Sequence, residues 1–274
     1  MNAIYQIGGV SKQAVHQHNE RKAKMSERLS ELVIQADELR RAHPGCGVEK
    51  MYDALQPHWL GRDRFVSTFM ELGYRVRKSR NYRRTTYSST TYHPNLIEGL
   101  LVWDKNRVWQ TDITYYEVNG RFYYMVFIVD IYTKVIRGYQ VSDHLRAEAN
   151  IKALRMALRG SRYWKGLIHH SDRGSQFIDS TYGDILNDHG IHASMGQAAW
   201  ENAYAERVNG IIKNEYLKYK TISSLQGLKK ATAYAVSHYN NKRIHRSLPG
   251  KQSPAEFEKQ LVTLRTQNRP KVIV

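Results

Sequence analysis

The stretch Trp109-Gln110-Thr111-Asp112-Ile113-Thr114-Tyr115-Tyr116-Glu117-Val118-Asn119-Gly120-Arg121-Phe122-Tyr123-Tyr124-Met125-Val126-Phe127-Ile128-Val129-Asp130 reads as two strands and a tight turn. The first arm, Trp109–Val118, is rich in β-branched and aromatic residues. Asn119-Gly120 is the strongest short hairpin signal, because both turn positions need positive φ. The second arm, Arg121–Asp130, is a nearly continuous apolar run, which suits a strand covered on both faces.

Working outward, Lys134–Val141 gives a third strand and Glu148–Leu158 a helix. Gly166–His170 is a short fourth strand, Ser180–Leu186 a helix and Ile191–Met195 a fifth strand. Helices follow at Ala203–Tyr219 and Leu225–Tyr239. The order β-β-β-α-β-α-β-α predicts an α/β fold: a ribonuclease-H-like mixed sheet flanked by helices. Upstream the pattern is helical. Ser26 can cap a helix over 26–42, in which Leu29, Leu32, Val33, Ala36 and Leu39 recur at three- and four-residue steps. A shorter helical segment begins at Ser11, and further helices span Val48–Leu55 and Arg62–Leu72, broken by Pro57, Gly61 and Gly73. Glycine-bearing turns between short helices are compatible with a small all-α helix-turn-helix region, and equally with any small helical bundle. The expected division is 1–74 helical DNA-binding region, 75–104 basic linker or arm, 105–260 catalytic core and 261–274 basic tail.

Lys and Arg number 42 against 25 Asp and Glu, a net charge of +17. Residues 1–104 hold 16 basic and 11 acidic side chains, and residues 105–274 hold 26 and 14, so the excess runs through the whole chain. Self-repulsion at this charge points to a polyanionic partner, with nucleic acid ahead of a membrane surface. Arg75, Arg77, Lys78, Arg80, Arg83 and Arg84, interleaved with Tyr74, Tyr82 and Tyr87, read either as a solvated linker or as a phosphate-tracking arm. Apolar runs are strand-sized, far short of the roughly 18 residues of a membrane helix. Cys46, the single cysteine, excludes an intrachain disulfide framework and any zinc site needing two thiolates. A reducing compartment fits. His16/His18 and His169/His170 lack further metal ligands nearby and are assigned surface or turn roles. No glycine-rich nucleotide loop is present in the sequence.

Acidic residues are sparse, and three fall at the corners of the predicted sheet. Asp112 lies within the first strand, Asp172 directly after the fourth, and Glu206 in the helix after the fifth. Two-metal phosphodiester chemistry needs such clustered hard oxygen ligands on rigid elements. Each also has an ordinary alternative: Asp112 as a polar residue on a half-exposed strand, Asp172 as a turn residue, Glu206 as an exposed helix charge. Lys213 lies seven residues beyond Glu206, about 20° away around an α-helix. With Asn202, Asn209 and Gly210 it completes a polar face on which a DNA backbone can rest.

The run His170-Ser171-Asp172-Arg173-Gly174-Ser175-Gln176-Phe177, followed by Ser194-Met195 and Asn202-Ala203-Tyr204-Ala205-Glu206, resembles the catalytic core of bacterial insertion-sequence DDE transposases of the IS3 family. They are relatives of retroviral integrases. Tyr239–Leu248 and Ser253–Phe257 resemble that family's carboxy-terminal signature, and the segment from His43 to the basic stretch its helix-turn-helix. The resemblance implies a metal-dependent triad of Asp112, Asp172 and Glu206, holding two Mg²⁺ ions that Mn²⁺ can replace. It implies that Lys213, with Arg173 and the basic arm, meets DNA. Double-stranded terminal repeats and target DNA are the implied partners, for a homo-oligomer on paired ends in the bacterial cytoplasm at the nucleoid. Some relatives gain a further DNA-binding segment by frameshifting, and this chain resembles the second-frame product. Two departures stand out. Glu201 replaces the family's Asp, and the loop Met195–Glu201 is shorter by about two residues, leaving 33 residues between Asp172 and Glu206. Glu201 therefore competes with Glu206 as third carboxylate. A transposase-derived regulator without catalysis and a ribonuclease-H-type nuclease are the rival functions.

Overall fold

In the computed structural model, residues 11–76, 92–159, 164, 166–197 and 199–274 are described. The chain divides into two units, residues 1–76 and 77–274.

The first unit is helical. Helix α1, Lys12–Ala42, is continuous where the sequence suggested two segments. Ser11, not Ser26, is the N-cap, its side chain accepting from the Ala14 N–H. Ser26 lies mid-helix with its carbonyl accepting from Ser30 Oγ. No Gly or Pro occurs between residues 12 and 42 to interrupt the helix. Helices α2 (Val48–Leu55) and α3 (Arg62–Glu71) follow, joined across a left-handed Gln56. Leu32, Ala36, Met51, Phe65 and Phe69 form the core, with the two phenylalanine rings stacked 4.2 Å apart.

The second unit carries a two-stranded ribbon and a five-stranded sheet. In the ribbon β1 (Leu101–Val102) pairs with β7 (Val272–Ile273), which returns the end of the chain to this unit. The large sheet contains β2 (Val108–Val118), β3 (Arg121–Asp130), β4 (Ile136–Ser142), β5 (Ile168–Ser171) and β6 (His192–Met195), in the order β4-β3-β2-β5-β6. Strands β2, β3 and β4 form an antiparallel meander, and β5 and β6 continue it in parallel with β2. This is the mixed α/β sheet that the sequence predicts. Asn119 and Gly120 have φ of 51° and 78°, as a tight hairpin of this kind requires. The third strand starts two residues later than expected. The buried Asp130 carboxylate accepts from the N–H groups of Tyr132 and Thr133 and holds residues 130–135 in a turn.

The apolar run of β3 is explained by two cores. Met125, Phe127 and Val129 face helices α6 (Ala203–Ile211) and α7 (Leu225–Asn241). Val126 and Ile128 face α4 (Ala147–Ala157) and α5 (Ser180–Asp188) on the other side. Successive strand residues alternate in direction, so a strand between two helix layers is apolar throughout. Helix α8 (Pro254–Gln260) lays Phe257 against Tyr132 in a third cluster.

The helix expected over 203–219 ends its regular part at Ile211. Residues Ile212–Tyr216 form a π turn and Leu217–Tyr219 a 3₁₀ turn. Glu215, within the π turn, takes Arg243 in a two-pronged ion pair of 2.8 and 2.9 Å. Arg243 is buried and also meets His245 Nε2 at 3.0 Å. The Tyr239–Leu248 stretch thus fastens the π turn that continues helix α6.

Gly138 on β4 is required by close approach, since a Cβ there would strike the Ala153 carbonyl oxygen and come within 2.9 Å of the Ala157 nitrogen. Gly138→Ala is expected to push α4 off the sheet and cost about 3 kcal/mol. Urea unfolding followed by circular dichroism measures this, and an unchanged midpoint would contradict the packing described.

Candidate active site

Gln110, Asp112 and Thr114, alternate residues of β2, are each fastened to α6, to the turn before it or to the π turn that continues it. Gln110 Nε2 donates to the Glu201 carbonyl at 2.9 Å, while its Oε1 accepts from Tyr204 N at 3.0 Å and Ala205 N at 3.4 Å. Gln110 therefore satisfies N–H groups that the first turn of a helix leaves open. Asn209 Nδ2 donates to Asp112 Oδ2 at 2.7 Å, and Lys213 Nζ to Thr114 Oγ1 at 2.7 Å. Asn202 Nδ2 adds a bond of 2.8 Å to the Thr111 carbonyl. Strand period and helix period match here over four anchoring points.

Asp172 arrives from the neighbouring strand. The parallel register of β2 and β5 ends with Gln110 opposite His170, so Asp112 and Asp172 each lie two residues beyond the last pair. The Gly174 N–H donates to Asp172 Oδ1 at 3.2 Å, which shapes the turn after the strand. Asp112 is pushed up to about 7, first by burial and then by the charges of Asp172 and Glu206, against the pull of the Ile113 N–H and Asn209. Glu206 is also raised, by burial and by Asp172. The fold thus brings the three predicted carboxylates into one electrostatic cluster. Among the described residues no three His, Cys, Asp or Glu side chains are drawn tightly enough to enclose an ion as they stand. The chemistry of the donor set nevertheless fits a hard divalent cation: oxygen donors alone, whose mutual repulsion a bound cation would relieve.

Glu201 stands apart from this cluster. Its carboxylate accepts from Asn95 Nδ2 at 2.9 Å and from the Gln197 N–H, and it is not among the charges acting on Asp112. Gly196 makes room for it, since a Cβ there would lie 2.9 Å from the Glu201 Cβ.

The polar helix face expected to receive DNA is largely turned inward. Asn202 and Asn209 are 3% and 4% exposed, because each bonds to β2. Lys213 is half-buried over the Tyr115 ring, and burial lowers its pKa despite the opposing pull of Asp112. Arg173 lies over the Tyr92 ring at 3.8 Å, and Arg75 is exposed in the helical unit. Arg77, Lys78, Arg80, Arg83 and Arg84 lie outside the described residues. His169 and His170, assigned surface or turn roles from the sequence, are instead buried on β5. Burial lowers them to about 3 and about 4, and they meet Tyr182 Oη and Ser194 Oγ. The sequence reading missed Gln110 and Thr114. The signal was available in the polar alternation Gln110, Asp112, Thr114 along a strand whose other residues include Trp109 and Ile113.

A mixed sheet of this order, with one carboxylate inside the central strand, a second just after its parallel neighbour and a third on the helix packed against them, defines the ribonuclease-H-like class of polynucleotidyl-transferase cores. Two family descriptions match the chain, both "Integrase core domain", over residues 104–199 and 187–254. The uncharacterized 31 kDa protein of insertion element IS600 from Shigella sonnei is 33% identical over 263 residues, spanning 92% of this chain and 96% of that protein. The transposase of insertion sequence IS629, also from Shigella sonnei, is 35% identical over 156 residues, or 56% of this chain and 52% of its own length. A cryo-EM structure of the simian T-cell lymphotropic virus intasome, in complex with PP2A regulatory subunit B56 gamma, contains a chain of similar fold. Its TM-score is 0.50 at 15% identity, covering 62% of this chain and 60% of that one. The chain belongs to the IS3 family of insertion-sequence DDE transposases, DNA transposases built on an integrase core.

Replacing Gln110 by Leu removes the partner of two helix N–H groups and of the Glu201 carbonyl. The expected loss is about 2 kcal/mol of stability. Chemical denaturation of the variant checks this, and a loss below a few tenths of a kcal/mol would sink the anchoring role.

Proposed function

We propose that the chain cuts DNA at the ends of its own element and joins those ends to target DNA, with Asp112, Asp172 and Glu206 as the catalytic carboxylates. The observation that carries this reading is the gathering of the three carboxylates in one integrase-core fold, where burial first and then the charges of Asp172 and Glu206 raise Asp112 to about 7. Asp112 and Asp172, on adjoining strands, would hold divalent ions jointly, and Glu206 would complete the set from α6. Two Mg²⁺ ions, or Mn²⁺ in their place, would supply Lewis acidity at the attacking and leaving oxygens of an in-line phosphodiester exchange. Asn209 fixes the orientation of the Asp112 carboxylate. Lys213, seated on Thr114, is the candidate contact for the end DNA once it leaves that hydroxyl. Glu201 braces the loop before α6 and takes no part in the chemistry.

Residues 1–74 are proposed as a DNA-binding region, with 75–104 as a basic arm leading to the core at 105–260. The partners would be double-stranded terminal repeats and target DNA. The working form would be a homo-oligomer on paired ends, acting at the nucleoid in the cytoplasm. Among the described residues no helix is long and apolar enough to cross a membrane.

The test is incubation with labelled DNA carrying the element's own ends, with Mg²⁺ or Mn²⁺. Nicking and joining by the unaltered chain are expected, with Asp112→Asn, Asp172→Asn and Glu206→Gln each lowering both by roughly a hundredfold or more. Glu201→Gln is expected to keep activity within about tenfold. DNA binding without any nicking would favour a non-catalytic regulator, and nicking without joining a ribonuclease-H-type nuclease. Equal losses in Glu201→Gln and Glu206→Gln would overturn the third assignment.

A further inference from the structure

Lys134 stands in the turn between β3 and β4 with a φ of 65°, in the left-handed region that residues with side chains seldom occupy. The turn itself is well braced. The Lys134 N–H donates to the Asp130 carbonyl at 2.8 Å, and the Ile131 N–H to the Val108 carbonyl of β2 at 3.2 Å. From this turn the Lys134 side chain runs half-buried to α6, where its ammonium lies 3.8 Å from the centre of the Tyr204 ring while donating to the Ile131 carbonyl. Two costs thus meet at one residue: a left-handed backbone and an ammonium drawn out of water, which burial lowers to about 8. Asp130 in the turn pulls that value up, and Arg207 on α6 pushes it down. Tyr204 is the second residue of α6 and stands two residues before Glu206. Its N–H donates to Gln110 Oε1 at 3.0 Å, and its ring packs against both the core under α6 and α7 and the cluster of Ile131, Tyr132 and Phe257. The first turn of the helix is therefore held twice at Tyr204, by Gln110 at the backbone and by Lys134 at the ring.

We propose that Lys134 is a positioning residue: through the face of the Tyr204 ring it straps the first turn of α6 to the β3–β4 turn, and so sets where Glu206 presents its carboxylate. The ring quadrupole attracts a cation, most strongly where water is displaced. A methionine would fill much the same space without desolvating a charge, so packing alone does not account for an ammonium here. An ion pair does not account for it either. The carboxylate that acts on Lys134 is Asp130, which is already taken by Arg137 at 3.2 Å and by the N–H groups of Asn106, Tyr132 and Thr133. What remains is the contact itself, a fixed cation against the aromatic ring at the head of the helix that carries Glu206. The inference rests on the reading of Glu206 as a catalytic carboxylate, and it adds a residue that reaches the site through another.

Hydrogen exchange at the Tyr204 and Ala205 amides of the full chain, without DNA and corrected for the intrinsic rate at each pH, reads the strap directly. Lys134→Met and Tyr204→Leu are each expected to lose on the order of tenfold in protection there. Lys134→Arg and Tyr204→Phe, which keep a cation and a ring, should stay within about twofold of the unaltered chain. Protection in the unaltered chain should fall as pH rises through about 8, where the ammonium loses its proton, and Lys134→Arg should show no such fall. Nicking of the element's end DNA with Mg²⁺ is followed in parallel, and Lys134→Met is expected to slow it roughly tenfold at unchanged DNA affinity. Full protection in Lys134→Met and Tyr204→Leu, or equal losses in Lys134→Arg and Lys134→Met, would overturn the proposal. So would a loss in Lys134→Met spread evenly over the whole sheet, the sign of general destabilisation. Protection that depends on Lys134 without any nicking by the unaltered chain would remove the catalytic reading and leave the strap on α6 standing.

Discussion

Burying a carboxylate in the middle of a sheet is costly unless something holds it, and the structure of the second unit is organised around that requirement. Asp112 sits on the face of β2 that packs against α6, where burial, ahead of the neighbouring charges, raises its pKa. The helix answers with Asn209 at Asp112, and the same seam continues with Gln110 below and Lys213 on Thr114 above. A slip of one residue in β2 would turn Asp112 toward Trp109's core and break every one of these bonds. The register of the central strand and the placement of α6 are therefore one constraint, not two.

Charge is distributed in keeping with that seam. The chain carries +17, yet its cluster of like negative charge lies at the junction of β2, β5 and α6. The surrounding excess attracts phosphate over a distance of about one Debye length, roughly 8 Å at physiological salt. The three carboxylates repel the same phosphate at contact. A divalent cation would resolve that conflict, in keeping with the proposal that the three carboxylates hold one.

Much of this was legible in the sequence because it rests on short-range rules. The Asn119-Gly120 turn, the apolar run of β3 and the positions of Asp112, Asp172 and Glu206 follow from turn chemistry, strand period and element order. What escaped was decided by tertiary partners. His169 and His170 look like polar residues near a turn, but β5 is covered on both faces and Tyr182 and Ser194 receive them. Asn202 and Asn209 look like a face offered to DNA, but β2 offers them buried acceptors. Glu201 and Glu206 share a composition and nearly a position, and hydrogen bonds from the distant Asn95 and the Gln197 N–H separate them. Helix α1 shows the opposite lapse: Ser26 resembled a cap, but nothing in the preceding residues stopped the helix.

The π turn at Ile212–Tyr216 widens the helix one residue after its last regular turn, and it is clasped there by Arg243 through Glu215. The guanidinium comes from just beyond α7, well past Asp112, Asp172 and Glu206 in the chain order. The folded unit is accordingly longer than the span of those three carboxylates: a fragment ending before Arg243 would retain all three and lose the latch on the helix that carries one of them. Modularity in this protein is set by where the struts are fastened, and they run well past Glu206, from Arg243 to Phe257 and on to the β1–β7 pair.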